Sequence, residues 1–224
     1  MTGEAPPRLI WDWTVRLFHW LIVLIIPLMW WTAEEGHMDW HRRLGMTMFA
    51  LILFRLIWGL IGTWTARFGP MIRRLGSLGD YIRDLRSGAH MPAFGHGPLG
   101  VLSVFALLLG ISIQVSTGLF AVDVDGLESG PLAVLISFDL GRELAEIHEL
   151  NFNILSGLIL LHIAASLFYR FRLRDPWVKP VVRGTRAAAD CGSQELPENR
   201  RRLVPLLIAV ILTAASVYAV LEAG

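Results

Sequence analysis

The sequence predicts an all-α membrane protein: a four-helix transmembrane bundle followed by a fifth, C-terminal transmembrane helix. Three observations carry that reading. The 224 residues are 54% hydrophobic and only 17% charged, and a mean hydropathy of +0.53 is too apolar for an ordinary soluble domain. Five runs, roughly 13–33, 44–64, 98–121, 146–169 and 203–221, are long and apolar enough to cross a bilayer core. Basic residues gather in alternate connections, the pattern of a multi-pass chain.

The first run follows "RLIWD" and opens with Trp and Arg. It has no small-residue cleavage site, so it reads as a retained helix and not as a signal peptide. The second follows the acidic turn "EEGHMD" (34–39) and contains Arg55. A loop with Arg67, Arg73, Arg74, Arg83 and Arg86 leads through "FGHGPLG" (94–100) into the third. The acidic "VDVDGLE" (122–128) comes next, then "PLAVLISF" (131–138), which is too short to cross and reads as surface loop. After the fourth run, residues 176–202 contain Pro176, Pro180 and many arginines, and read as a connector lying on anionic headgroups. The fifth run is "LVPLLIAVILTAASVYAVL".

Sixteen basic residues lie on the side of the N-terminus: Arg8, Arg16, the five of the second connection, and Arg170, Arg172, Arg174, Lys179, Arg183, Arg186, Arg200, Arg201 and Arg202. Only Arg42, Arg43 and Arg142 lie opposite. That asymmetry predicts a bacterial inner-membrane protein with its N-terminus cytoplasmic and its C-terminus periplasmic. Trp11, Trp13, Trp58 and Trp64 fall at the expected inner interface, and Trp30, Trp31 and Trp40 at the outer one. The net charge of +1 gives no sign of a nucleic-acid partner. Cys191 is the lone cysteine, which excludes an internal disulfide, covalent CxxCH haem attachment and Cys-ligated clusters. Any cofactor must be held by histidine.

Polar groups at membrane depth are costly and point to function. His148 and His162 are fourteen residues apart in one apolar run. That is close to four helical turns, so they share a face and stand about 21 Å apart along the axis. One metal cannot bridge that distance, but two stacked sites can occupy it. His19 lies at the depth of His162, and His41 at the depth of His148. A single membrane histidine is usually a packing or hydrogen-bonding residue. Four of them, depth-matched in pairs on three helices, fit bis-histidine ligation of two non-covalent haems b. A zinc or di-iron centre would need histidines and carboxylates clustered at one depth.

Arg55 lies fourteen residues after His41, in the inner half. No predicted span offers it a carboxylate at that depth, so a haem propionate is its expected partner, with snorkelling to the interface as the bland alternative. Gly45, Gly110, Gly118 and Gly157 would admit a flat macrocycle or a close backbone. His96, just before Pro98, is placed to hydrogen-bond a propionate or a quinone carbonyl, or is simply a loop residue. His37 and His90 read as loop residues without a role.

"WDWTVRLFHW" (11–20), "HRRLGMTMFALILFRLIWGLIG" (41–62), "FGHGPLG" (94–100) and "EIHELNFNILSGLILLHI" (146–163) together resemble the bacterial di-haem cytochrome b family. That family includes prokaryotic cytochrome b561 and the b-type subunit of membrane Ni,Fe-hydrogenases. The resemblance covers about residues 8–175. It implies a four-helix bundle in which His19 and His162 ligate one haem and His41 and His148 the other, the pairing that depth gives. It also implies electron transfer between an outer-face partner, such as a periplasmic cytochrome c or a dehydrogenase or hydrogenase subunit, and membrane quinone. The chain then divides into a di-haem domain (8–175), a basic connector (176–202) and a C-terminal helix (203–224) that has no histidine and departs from the family pattern. Two other functions are expected to compete: a self-contained superoxide:quinone oxidoreductase, and a haem-free membrane scaffold or transporter.

Overall fold

The computed structural model describes residues 8–88, 95–173, 178–186 and 203–224. His90, Cys191, Arg174, Arg200, Arg201, Arg202 and most of the expected connector lie outside the described residues. The helices are α1 (Trp13–Glu34), α2 (Met38–Ile61), α3 (Phe68–Arg73), α4 (Leu78–Ser87), α5 (Pro98–Gly118), α6 (Phe138–Phe171), α7 (Val178–Arg183) and α8 (Leu203–Ala223). Five of them, α1, α2, α5, α6 and α8, are long and apolar enough to cross a membrane. The chain is an all-α, multi-pass membrane protein.

Local chemistry sets the helix boundaries. Asp12 caps α1, its carboxylate accepting from the Val15 N–H at 2.8 Å, and the Ser137 hydroxyl accepts from Leu140 N–H at the start of α6. Pro98 occupies the first turn of α5, where its missing N–H costs nothing. Two helices begin earlier than their apolar runs. The first turns of α2 and α6, "MDWHRR" and "FDLGRE", are polar. At about 1.5 Å per residue, the 34-residue α6 is roughly 50 Å long against a core of about 30 Å. Within "PLAVLISF", Ala133–Leu135 form one 3-10 turn and Phe138 opens α6.

α1 packs on α2 and α5 on α6, while α2 joins the two pairs by touching α5. The core layer is Phe18 and Ile25 of α1, Met48 and Ile52 of α2, Leu108, Ile111 and Val115 of α5, and Leu155 of α6. Asn151, on α6 and buried, spans the α5–α6 seam by donating to the Gly110 carbonyl (2.9 Å) and to the Gln114 side-chain oxygen (2.6 Å). α8 lies outside this group against α2, where the wholly buried Ala209 meets Trp58 and Ala66.

Each end of the bundle is tied. At the end expected to face outward, called the outer end, Val122 bridges Ser129, and Gly126 takes the left-handed φ of +71° in the turn between them. Arg42 on α2 pairs with Glu128 of this loop, and Arg142 on α6 donates to the Val122 carbonyl at 3.0 Å. At the opposite end, expected to be cytoplasmic and called the inner end, β1 (Arg8–Leu9) pairs antiparallel with β2 (Thr185–Arg186). The Gly184 carbonyl accepts from the N–H groups of Ile10 (2.7 Å) and Trp11 (3.1 Å), and Arg16 donates to the Val182 carbonyl at 2.7 Å. Gly184 sits at φ +83°, and a Cβ there would press on the Trp11 carbonyl and the Arg16 side chain.

Candidate functional site

The spacing of seven residues builds the site. His41, Met48 and Arg55 share one face of α2, and His148, Leu155 and His162 share one face of α6, because seven residues are nearly two helical turns. Met48 and Leu155 therefore fill the middle of the bundle, with histidines above and below.

The outer pair is closely defined. The rings of His41 and His148 stand 6.3 Å apart, centroid to centroid, at 77°. His41 Nδ1 lies 3.0 Å from the Met29 carbonyl, and His148 Nδ1 lies 2.9 Å from the Gln114 carbonyl, with the Thr117 hydroxyl at 3.2 Å. A carbonyl only accepts, so each Nδ1 carries the proton and each Nε2 has its lone pair free. Gly118 makes room for the His148 ring, since a Cβ there would stand 2.8 Å from its Cε1.

The inner group is assembled differently. His162 Nδ1 meets the Ser103 hydroxyl of α5 at 3.0 Å, and His162 lies close enough for its charge to be felt at His19. His19 Nδ1 is sealed from solvent with no hydrogen-bond partner among the described residues. α1 and α6, which carry these two histidines, are not among the closely packed helix pairs. Arg55 is only 4% exposed, so it does not snorkel to water. Its guanidinium lies 4.9 Å from the Phe68 ring centre, and Gly59 gives that ring its space. Arg55 Nη1 is buried without a hydrogen-bond partner among the described residues.

His96 belongs to this inner group. Trp11 packs on its ring at 4.4 Å, and Arg74 donates to its carbonyl at 2.8 Å. Burial, reinforced by the positive charge of Arg55 and Arg74 and then of the two imidazoles, pushes His96 down to about 3. The ring is neutral, and its Nδ1 is also sealed and unpartnered. Thus His19, Arg55 and His96 each present a buried nitrogen without a hydrogen-bond partner among the described residues, as Arg16 and Arg67 do at Nε.

Two residues carry more than their sequence positions suggest. Asp12 is buried and gathers four donors: the Thr14 hydroxyl (2.7 Å), Val15 N–H (2.8 Å), Trp58 Nε1 (3.1 Å) and the Thr63 hydroxyl (2.5 Å). Its charge is felt at Arg55, but Asp12 lies before the first span and forms no ion pair with that guanidinium among the described residues. Trp58, expected at the lipid interface, is 3% exposed, because its indole N–H is committed to Asp12. The "WD" before the first apolar run was the one available signal for Asp12. Among the four glycines expected to admit a macrocycle, Gly118 abuts His148 and Gly110 abuts Leu155, whereas Gly157 faces open space and Gly45 lies in ordinary contact with Met29.

A family model described as prokaryotic cytochrome b561 matches residues 10–184. The chain belongs to that family. Cytochrome b561 proteins are membrane b-type cytochromes of electron transfer, and they bind b-type haem. No curated protein and no solved structure matches the chain. Membership speaks against the haem-free scaffold or transporter. The residues present fit a cytochrome b561 cofactor. Metal–imidazole bonds of roughly 2 Å on either side of an iron place two ring centres about 6 Å apart, as the outer pair has them. The inner side adds unpartnered polar atoms where an anionic cofactor edge would be welcome. The matched segment ends before α8, which contributes no histidine.

Proposed function

We propose that this cytochrome b561 holds two haems b and passes electrons between a periplasmic redox protein and membrane quinone. His41 and His148 would hold the outer haem, and His19 and His162 the inner one. The observation that supports this most is the outer pair: two imidazoles 6.3 Å apart, each with Nδ1 tied to a backbone carbonyl and Nε2 turned loose. Haem iron, when bound, supplies reversible one-electron chemistry.

The chain's own residues do the rest. The Met29 and Gln114 carbonyls fix ring orientation and raise ligand basicity, as outer partners of metal-bound imidazole do. Ser103 does the same for His162 with a hydroxyl. Arg55 offers its unpartnered Nη1 to a propionate of the inner haem, and its positive charge favours the reduced state there. Neutral His96 supplies a hydrogen bond to a propionate or to a quinone carbonyl. The apolar layer of Ile25, Met48, Ile52, Leu108, Ile111 and Leu155 keeps water from between the sites.

The sixteen-to-three basic asymmetry supports an inner-membrane protein with a cytoplasmic N-terminus and a periplasmic C-terminus. The acidic outer loop suits a cationic partner such as a cytochrome c, or a dehydrogenase or hydrogenase subunit. The di-haem unit is residues 8–175, followed by the connector 176–202 and the C-terminal helix 203–224.

The deciding measurement is haem b per polypeptide by pyridine haemochrome, with reduced-minus-oxidised spectra. Two haems are expected, with low-spin, six-coordinate bands. His162→Ala should lose one haem and leave the other, because the two sites share no ligand. A His162→Ala chain that keeps both haems with unchanged spectra would overturn the pairing.

A further inference from the structure

Asp12 and Arg55 are the two charged residues buried among the described residues. The Asp12 carboxylate is fixed by four donors from three places: the start of α1, Trp58 near the end of α2, and Thr63 beyond it. Asp12 precedes His19 by seven residues, nearly two turns along the α1 side of the bundle, and Trp58 follows Arg55 by three on α2. The same carboxylate therefore joins the helix bearing His19 to the helix bearing Arg55. It is not spent in a contact ion pair, because Arg55 Nη1 remains unpartnered. A buried charge in a poorly polarisable medium acts over several ångströms with little screening.

We propose that Asp12 is a positioning residue of the inner site, whose locked carboxylate aligns α1 with α2 and offsets the charge of Arg55, lowering the reduction potential of the inner haem. This rests on the di-haem reading above. Adding an electron to a site is harder beside a fixed negative charge and easier beside a positive one, so Asp12 and Arg55 act in opposite directions on one centre. The outer pair lies about 21 Å further along the helices, so both charges act on it more weakly.

The test is a redox titration of the purified full-length chain, with the inner and outer components assigned by His162→Ala. Asp12→Asn keeps a side chain that caps helices as well as Asp does while removing the charge. It should make the inner haem easier to reduce by about tenfold in the one-electron equilibrium, about 59 mV, and leave the outer component in place. Arg55→Leu should move the same component the other way. Trp58→Phe removes one donor from the carboxylate without removing its charge and should lower the inner potential. It provides the decisive reading should Asp12→Asn fail to accumulate. Two haems with an inner potential unmoved by these changes, or both potentials shifted equally, would overturn the role of Asp12 alone. A wild-type chain without an inner haem would overturn the di-haem reading and this inference with it.

Discussion

The two histidine levels solve the same problem by different means. At the outer level, backbone carbonyls of α1 and α5 hold both imidazoles, and the rings already stand at a mutual distance that suits one metal. At the inner level one ring is held by a hydroxyl, the other has a buried nitrogen without a partner among the described residues, and both imidazoles act with Arg55 and Arg74 on the neutral His96. The outer site is positioned by main chain, which a point mutation cannot delete. The inner site is positioned by side chains and charge, which it can. The outer level is therefore the rigid one and the inner level the tunable one.

That contrast can be broken most severely by attacking the outer site through its one steric weakness. Gly118→Val places branched carbon where the His148 ring lies. It should abolish the outer haem while the inner one persists, giving about half the haem per chain by pyridine haemochrome. Removal of an orienting partner should matter more gently at the inner level. Ser103→Ala takes away the hydroxyl beside His162 Nδ1, and outer-shell losses of this type cost about 10-fold or more in metal-site affinity. Haem retention on dilution, followed by the Soret band, should fall for the inner component only. The smallest effect is expected at the seam both levels share. Asn151→Leu deletes the two interhelical hydrogen bonds to Gly110 and Gln114, a loss of about 1 kcal/mol. A lower thermal midpoint in detergent with unchanged haem content would place Asn151 in packing; loss of the outer haem would instead tie it to the Gln114–His148 bond.

How much of this could be read from the sequence follows from the range of each interaction. The five spans and the depth-matching of His19, His41, His148 and His162 depend on local periodicity alone, and a fourteen-residue spacing survives any arrangement of loops. Arg55 was identifiable as a buried cation because it interrupts an apolar run. Its neighbour Asp12 was not, since its partners Trp58 and Thr63 are 46 and 51 residues away and none of the three is unusual by itself. Trp58 was misplaced for the same reason: an indole near the end of an apolar run looks interfacial until the carboxylate that takes its N–H is known. The polar beginnings of α2 and α6 fell outside an apolar window although the helices run through them. The return of residues 178–186 onto the N-terminus depends on a backbone pairing between Arg8–Leu9 and Thr185–Arg186 that no composition reveals.

The apolar layer through Ile25, Met48 and Leu155 has an electrical consequence. It acts as the dielectric of a small capacitor whose plates are the two histidine levels. With a redox centre on each plate, an electron crossing it moves through about 21 Å of a core about 30 Å thick, or roughly two-thirds of the transmembrane voltage. At about 2.3 kcal/mol per elementary charge per 100 mV, each transfer exchanges roughly 1.5 kcal/mol with the membrane field for every 100 mV present. Because the layer holds no acid or base to carry a proton alongside, that work is not cancelled on the way. With the two haems proposed above in place, the membrane voltage would bias the occupancy of the two levels, and energising the membrane would itself move electrons from one to the other.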